Sequence, residues 1–357
     1  MDYTSSYFAI IRQTLFNSRE NDLSSDYKQI MQIAAKQSTV ALHAGALLNN
    51  EQVDPNLRKW LQAQYAYNIQ AQMTRGKWMM NIVKILQDNN IPVVLMKGYS
   101  LAVLYGNPDL REQGDVDLYV GKERYHEACE LLRNAYPNSF WQSEEEGSKH
   151  FIFIPKEDMS LIVELHHQTA EFTAEKDTLY WLSLEAEGMT KNLGTIAGTS
   201  LRTPEPAFNA LYIFVHLWHH FISTGCSWRQ LTDWALTLRE SKDYIDPQKL
   251  RRQLTALHLL KPWQALGYLV CKRLQLPEDT MPLYTDKYRH LAKKLDTLIL
   301  RDGHGGRKQH YFHLMKRPTN RIMQIIRVLG QIAENFAFLF PLFPSIAIRE
   351  SIHKLWK

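Results

Sequence analysis

Met96-Lys97-Gly98-Tyr99-Ser100, then fourteen residues, then Asp115-Val116-Asp117-Leu118-Tyr119-Val120, is the stretch on which the fold turns. The run Val93-Val94-Leu95-Met96 is apolar, continuous and of strand length, and it follows the turn-forming Asn89-Asn90-Ile91-Pro92. Farther on, Val116, Leu118 and Val120 alternate with Asp115, Asp117 and Tyr119. Alternation of that kind predicts a second strand with both aspartates on one face and the apolar side chains on the other. A helix is predicted from Lys122 to about Asn134. Phe151-Ile152-Phe153-Ile154 and Leu161-Ile162-Val163-Glu164-Leu165, joined across Lys156-Glu157-Asp158-Met159, predict a β-hairpin.

Outward from this centre the periodicity becomes helical. Apolar residues recur at helical spacing from Ser25 to Leu48 and from Asp54 to Asp88 on one side. On the other they do so over Ala207 to Phe221, Trp228 to Ser241, Pro247 to Leu274 in two pieces, Thr285 to Ile299, and Asn320 to Ala337. The fold class that follows is α+β, a small mixed β-sheet core flanked by N-terminal and C-terminal helical blocks. The expected divisions are residues 1–90, 91–200 and 201–357.

Chemistry concentrates in the central segment. If the Glu164 strand lies beside the Asp115/Asp117 strand, three carboxylates converge, and crowded carboxylates are costly unless a cation neutralises them. All-oxygen ligation selects a hard divalent metal such as Mg2+, and two such ions about 3.5–4 Å apart serve in-line displacement at phosphorus. Gly98, between a buried strand and a helix start, lets backbone approach a ligand closely, and the Ser100 hydroxyl is placed to bind phosphate oxygens. Lys97 and Arg111 are candidate charge partners for a triphosphate. His166, two residues after Glu164, shares its strand face and is expected at the site. Asp117 is expected to supply its charge to metal rather than to packing. Arg229 and Asp233, at i and i+4, suit either an intrahelical ion pair or a cleft-capping helix whose Arg229 reaches nucleotide phosphate. His216, His219 and His220 share a helical face with metal-ligand spacing, but Phe214 and Trp218 interleave with them and a packing role suffices.

Composition sets the outer limits. The 357 residues, 45% hydrophobic and 22% charged with 16 Gly and 14 Pro, exclude a disordered or collagenous chain and allow about two domains. Cys129, Cys226 and Cys271 have no CxxC spacing, which argues against a disulfide framework or zinc ribbon and fits a cytoplasmic location. The first residues lack the pattern of a secretory signal, and the apolar stretch Phe336 to Ile348 is short and interrupted by Pro341 and Pro344, so no transmembrane segment is expected. From Arg301 to Lys357 ten Lys and Arg face three acids, a charge of +7 that leaves −2 for the remainder. Such a basic tail suits an anionic partner or a solvated helix face. Its basic-plus-aromatic stretch, with Arg307, Lys308, Tyr311 and Phe312, has the flavour of an RNA-contacting surface. The Phe336 to Phe343 run suits docking on a partner or packing on the helical core.

The order Gly-x-Ser, Asp-x-Asp and a later strand carboxylate resembles the nucleotidyltransferase fold of the polymerase β superfamily. More narrowly, Met96-Lys97-Gly98 to Tyr105, Arg111, Asp115 to Val120, Glu164-Leu165-His166 and the His-rich helix leading to Arg229 and Asp233 resemble the uncharacterised nucleotidyltransferase family found in bacteria. Tyr99 separates Gly98 from Ser100 where the broad superfamily has the two adjacent. The resemblance implies a nucleoside triphosphate such as ATP and Mg2+, with Asp115 and Asp117 as metal ligands and Glu164 as the third carboxylate. It implies transfer of an NMP group to an unidentified acceptor, which could be a small molecule, a protein or RNA. The alternative is a catalytically weak nucleotide-binding regulator or interaction protein on the same fold.

Overall fold

The computed structural model describes residues 2–18, 26–143, 150–196, 198–303, 305–306 and 320–355. Most of the basic stretch between Arg301 and Arg327 lies outside them, including Arg307, Lys308, Tyr311, Phe312, Lys316 and Arg317.

The architecture is mixed α+β. Four helices come first: α1 (Tyr3–Leu15), α2 (Tyr27–Lys36), α3 (Val40–Leu47) and α4 (Pro55–Asp88). The last starts where its sequence says it should, with Pro55 in the first turn and the Asp54 carboxylate accepting from the N–H groups of Asn56 and Leu57. Strand β1 (Val94–Met96), short helix α5 (Gly98–Ala102), β2 (Val116–Tyr119), α6 (Gly121–Ala135), β3 (Phe140–Ser143), β4 (His150–Ile154) and β5 (Val163–His166) follow. Helix α7 (Glu175–Gly188) and the two-residue strands β6 (Gly194–Thr195) and β7 (Arg202–Thr203) close the central region. Then come α8 (Pro206–Ser223), α9 (Trp228–Ser241), α10 (Pro247–Ala256), α11 (Leu260–Leu274), α12 (Arg289–Asp302), α13 (Arg321–Leu339) and α14 (Pro344–Leu355).

One sheet of seven strands, in the order β3-β4-β5-β2-β1-β7-β6, runs through the centre. Strands β2 and β5 are parallel, while β1–β2 and β4–β5 are antiparallel, so the predicted hairpin forms. The alternation in β2 works as the pleat requires. Val116, Leu118, Val163 and Leu165 join Met79, Ile82, Val83 and Leu86 of α4 and Ala128 and Leu132 of α6 in one core. Val94 and Met96 look the other way, into a larger core shared by α1–α3 and α8–α12. Met96 pairs with Asp117, so the carboxylate face of the sheet is turned toward that helical block. The N-terminal helices thus pack with the C-terminal ones rather than apart from them.

Cys129, Cys226 and Cys271 are free and buried. In the Phe-rich segment Phe343 is fully buried edge-on against Trp218, and Phe338 packs on Phe221, while Phe340 is exposed. Among the described helices α13 alone has the length and apolar composition to cross a membrane, and its Ile322, Ile325, Ile326 and Leu329 are exposed. One such helix, carrying Arg327 mid-length, does not support a membrane-spanning reading.

Candidate functional site

Strand β1 delivers the first side chain. After Met96 both Lys97 and Gly98 adopt positive φ, +42° and +44°. Glycine is needed at 98 for a further reason: a Cβ there would stand 3.1 Å from the Asp115 carbonyl oxygen. Lys97, which has no such freedom, is held by Ser100, whose N–H and hydroxyl both donate to the Lys97 carbonyl at 2.9 and 2.8 Å. The turn carries the Lys97 side chain over the sheet, where Nζ lies 2.8 Å from Asp117 Oδ1 and 3.5 Å from His216 Nδ1 on α8.

Strands β2 and β5 deliver the carboxylates. Their parallel register sets Asp117 beside Glu164 and Tyr119 beside His166, and β4 sets His150 opposite His166. The His166 Nε2 sits between two carboxylates, 3.0 Å from Asp117 Oδ1 and 3.1 Å from Glu164 Oε2. His150 Nε2 lies 3.9 Å from Glu164 Oε1. Asp117 and His166 are buried, whereas Asp115, one residue ahead of β2, is reached by water although many protein atoms surround it.

The electrostatics follow from this crowding. Lost hydration, then repulsion from Asp117 and Glu164, pushes the Asp115 carboxyl up to about 6 against the pull of Lys97 and Arg229. Burial would raise Glu164 as well, but the His166 hydrogen bond and the charges of Lys97, His166 and His150 win and hold it far below the usual carboxylate range. Burial likewise opposes the charged forms of Lys97 and His166, and their carboxylate partners outweigh it, so both are raised. Burial and the nearby Lys97 ammonium push His216 well down. Lys97 and His166 therefore supply counter-charge to the three acids in this structure.

The loop entering β2 is fixed from α4. The Asn68 and Gln72 side-chain amides donate to the carbonyls of Asp109, Pro108 and Arg111, and Gln113 donates to Gln72 Oε1 at 2.8 Å. Glu112 accepts from the N–H groups of Val40 and Ala41 at the start of α3. Arg111 is buried and gives Asp233 two hydrogen bonds, of 2.8 and 2.9 Å, and Tyr105 donates to the same carboxylate at 2.9 Å. Asp233 thus pairs with Arg111 and not with Arg229, and Arg111 gives two of its guanidinium nitrogens to that pair. Arg229 instead donates from Nη1 to the Glu112 carbonyl at 2.8 Å, with that nitrogen 4.0 Å from where a Gly114 Cβ would stand, on the approach to Asp115. Ser100, for its part, lines a different cleft, with Tyr105, Gly194 and Arg239.

A family profile described as an uncharacterised nucleotidyltransferase matches residues 24–275, well over half of the chain and all of the site. The chain belongs to the uncharacterised nucleotidyltransferase family. Among solved structures it is similar to the Thermotoga maritima CCA-adding enzyme complexed with tRNA-CCA, at 12% identity over 87% of this chain and 80% of that chain, with a TM-score of 0.21. No curated protein matches. Family membership supports nucleotidyl transfer in general as the chemistry of this transferase.

Two residues of this nucleotidyltransferase escaped sequence reasoning. Arg75 of α4 lines the small cleft bounded by Tyr99, Gln113, Asp115 and Asp117. Among the described residues it has no ion pair or hydrogen bond, and its Nε is buried without a partner. The only signal was that Asn68, Gln72 and Met79 trace the buried stripe of α4 and put Arg75 near it. His150 was readable in principle from the alternation of β4, where it precedes Phe151. Of the His-rich helix, His216 meets Lys97 while His219 packs edge-on against Phe172.

Proposed function

We propose that the chain moves an NMP group from a nucleoside triphosphate to an acceptor hydroxyl or similar nucleophile in a Mg2+-dependent reaction. The observation that carries this is the convergence of Asp115, Asp117 and Glu164 on one sheet face, close enough that the other two raise the Asp115 pKa. Three oxygen ligands whose charges repel one another fit a hard divalent cation. When bound, Mg2+ would neutralise triphosphate charge and favour the attacking and leaving oxygens.

The acceptor oxygen bonds to the α-phosphorus, the α–β bridging P–O bond breaks, and pyrophosphate leaves. Arg75 and Arg229 flank the carboxylates on two sides and are the cations suited to hold phosphate oxygens. Lys97 is the third, once released from Asp117. The acceptor's proton passes to water as the bond forms, while Glu164, held low by His166, Lys97 and His150, suits ligation.

The test is label transfer from α-32P and γ-32P nucleoside triphosphates into cell-extract acceptors. Movement of the α label alone, lost by about 100-fold or more in Asp115→Asn, supports nucleotidyl transfer. Movement of the γ label contradicts it. The Lys97–Asp117 ion pair favours a second reading, nucleotide binding without turnover, which predicts bound nucleotide and no label in any acceptor.

A further inference from the structure

Glu164 is engaged on its outer side by nitrogen rather than oxygen. His150, Glu164 and His166 each place a donor atom within 4.8 Å of the others, on adjacent strands β4 and β5. Two bonds of about 2.0–2.1 Å at a tetrahedral angle separate their donors by about 3.4 Å. His166 Nε2 lies 3.1 Å from Glu164 Oε2 and His150 Nε2 lies 3.9 Å from Glu164 Oε1, so each imidazole nitrogen is close to that span from one of the two carboxylate oxygens. The imidazole rings are 4.9 Å apart, and the Nε2 of each lies within 4 Å of a Glu164 oxygen. Asp117 is bound by Lys97 at 2.8 Å and also lies 3.0 Å from His166 Nε2, whereas Glu164 is the carboxylate that lies within 4 Å of both histidines.

Two imidazoles and a carboxylate are a poor set for Mg2+, which prefers all-oxygen octahedral ligation, and a good set for ions of the Zn2+ and Co2+ class. We infer that His150, Glu164 and His166 form a binding site for a divalent transition-metal ion, adjoining the Asp115/Asp117 face. A bound ion would replace the proton that His166 Nε2 now shares with Asp117 and Glu164, and binding would release it. This deepens the nucleotidyltransferase reading, since Glu164 belongs to both sets of ligands.

The experiment titrates Co2+ into the full chain, recording visible absorption and heat, with parallel titrations of Mg2+ and of Mg2+ plus nucleoside triphosphate. His150→Ala carries the decision because His150 is 23% exposed and its loss spares the buried core, and thermal denaturation verifies that the variant folds. The expected result is one equivalent of Co2+ bound with a visible band, weakened by about tenfold or more in His150→Ala, with Mg2+ affinity moving less than twofold. Should His150→Ala prove unfolded, His150→Gln is titrated and the same weakening is expected. Equal Co2+ affinity in wild type and variant, or a Mg2+ affinity that falls as far as that for Co2+, overturns the inference. A Co2+ site without Mg2+-dependent nucleotide binding upholds the inference and removes the nucleotidyltransferase reading of the site. Nucleotide binding with an unchanged Co2+ site does the reverse.

Discussion

Asp115 and Asp117 stand two residues apart on one strand face and occupy opposite electrostatic situations. Asp115 is repelled by its neighbours, and its pKa rises from 3.8 to about 6. A carboxyl raised in the folded state favours folding only while protonated, so its advantage is complete below about pH 4 and gone above about pH 6. Asp115→Asn should therefore raise the Tm of the metal-free protein at pH 7, by roughly 2–4 °C after solvent screening, with the gain shrinking as pH falls from 6 to 4. Asp117 is buried and holds Lys97 at 2.8 Å and His166 at 3.0 Å, so its charge serves packing as well as the metal role proposed for it. Asp117→Asn strands the Lys97 ammonium and should cost about 3 kcal/mol in a urea denaturation series. Among the described residues Arg75 has no hydrogen-bond or ion-pair partner to lose, so Arg75→Ala should leave Tm within about 1 °C and weaken nucleotide binding about 10- to 100-fold by calorimetry. The three carboxylates and His166 were legible because strand alternation decides faces. The partner of Asp233 was not: the choice between Arg229, one helical turn away, and Arg111, 122 residues away, is made by tertiary packing.

At the element scale, the strongly periodic segments were legible: α9 occupies Trp228–Ser241 and α8 differs from its expected span by one or two residues. The Ser25 to Leu48 stretch instead splits into α2 and α3 at Gln37–Thr39, where Ser38 takes φ of +53° and Thr39 N–H donates to the Ala34 carbonyl. The strands β6 and β7 are two residues each, too short to leave a pattern. Helix α7 went unread because its Leu179, on the open face, is exposed and blurs the apolar stripe. Helix α14 was announced only by Pro344 in its first position. The element that matters most for chemistry is the turn at Lys97-Gly98. Gly98→Ala puts a Cβ into positive φ and against the Asp115 carbonyl, and should cost about 1–3 kcal/mol of stability, read by chemical denaturation.

Across the whole molecule, two cores meet at the sheet, and the Asp115 to Glu164 row lies on the side facing the helical block. Composition and periodicity foretold helical blocks around a small sheet, but not that α1–α3 would share a core with α8–α12, because packing partners far apart in sequence leave no periodic trace. The Arg111–Asp233 ion pair and the Arg229 bond to the Glu112 carbonyl tie the β2 loop to α9. Asp233→Ala leaves a buried guanidinium and the Tyr105 hydroxyl unpaired, and should lower stability by about 3–5 kcal/mol in equilibrium unfolding. Nucleotide affinity should fall with it, since Arg229 on the same helix stands over the approach to Asp115. On the proposed reading the three carboxylates hold a metal-bound nucleotide. The decisive measurement is isothermal titration of each of the four nucleoside triphosphates into wild type and Asp115→Asn, with and without Mg2+. Binding to wild type should require Mg2+ and be lost in Asp115→Asn, a variant no less stable than wild type. Binding that ignores Mg2+, or that survives Asp115→Asn unchanged, would contradict it.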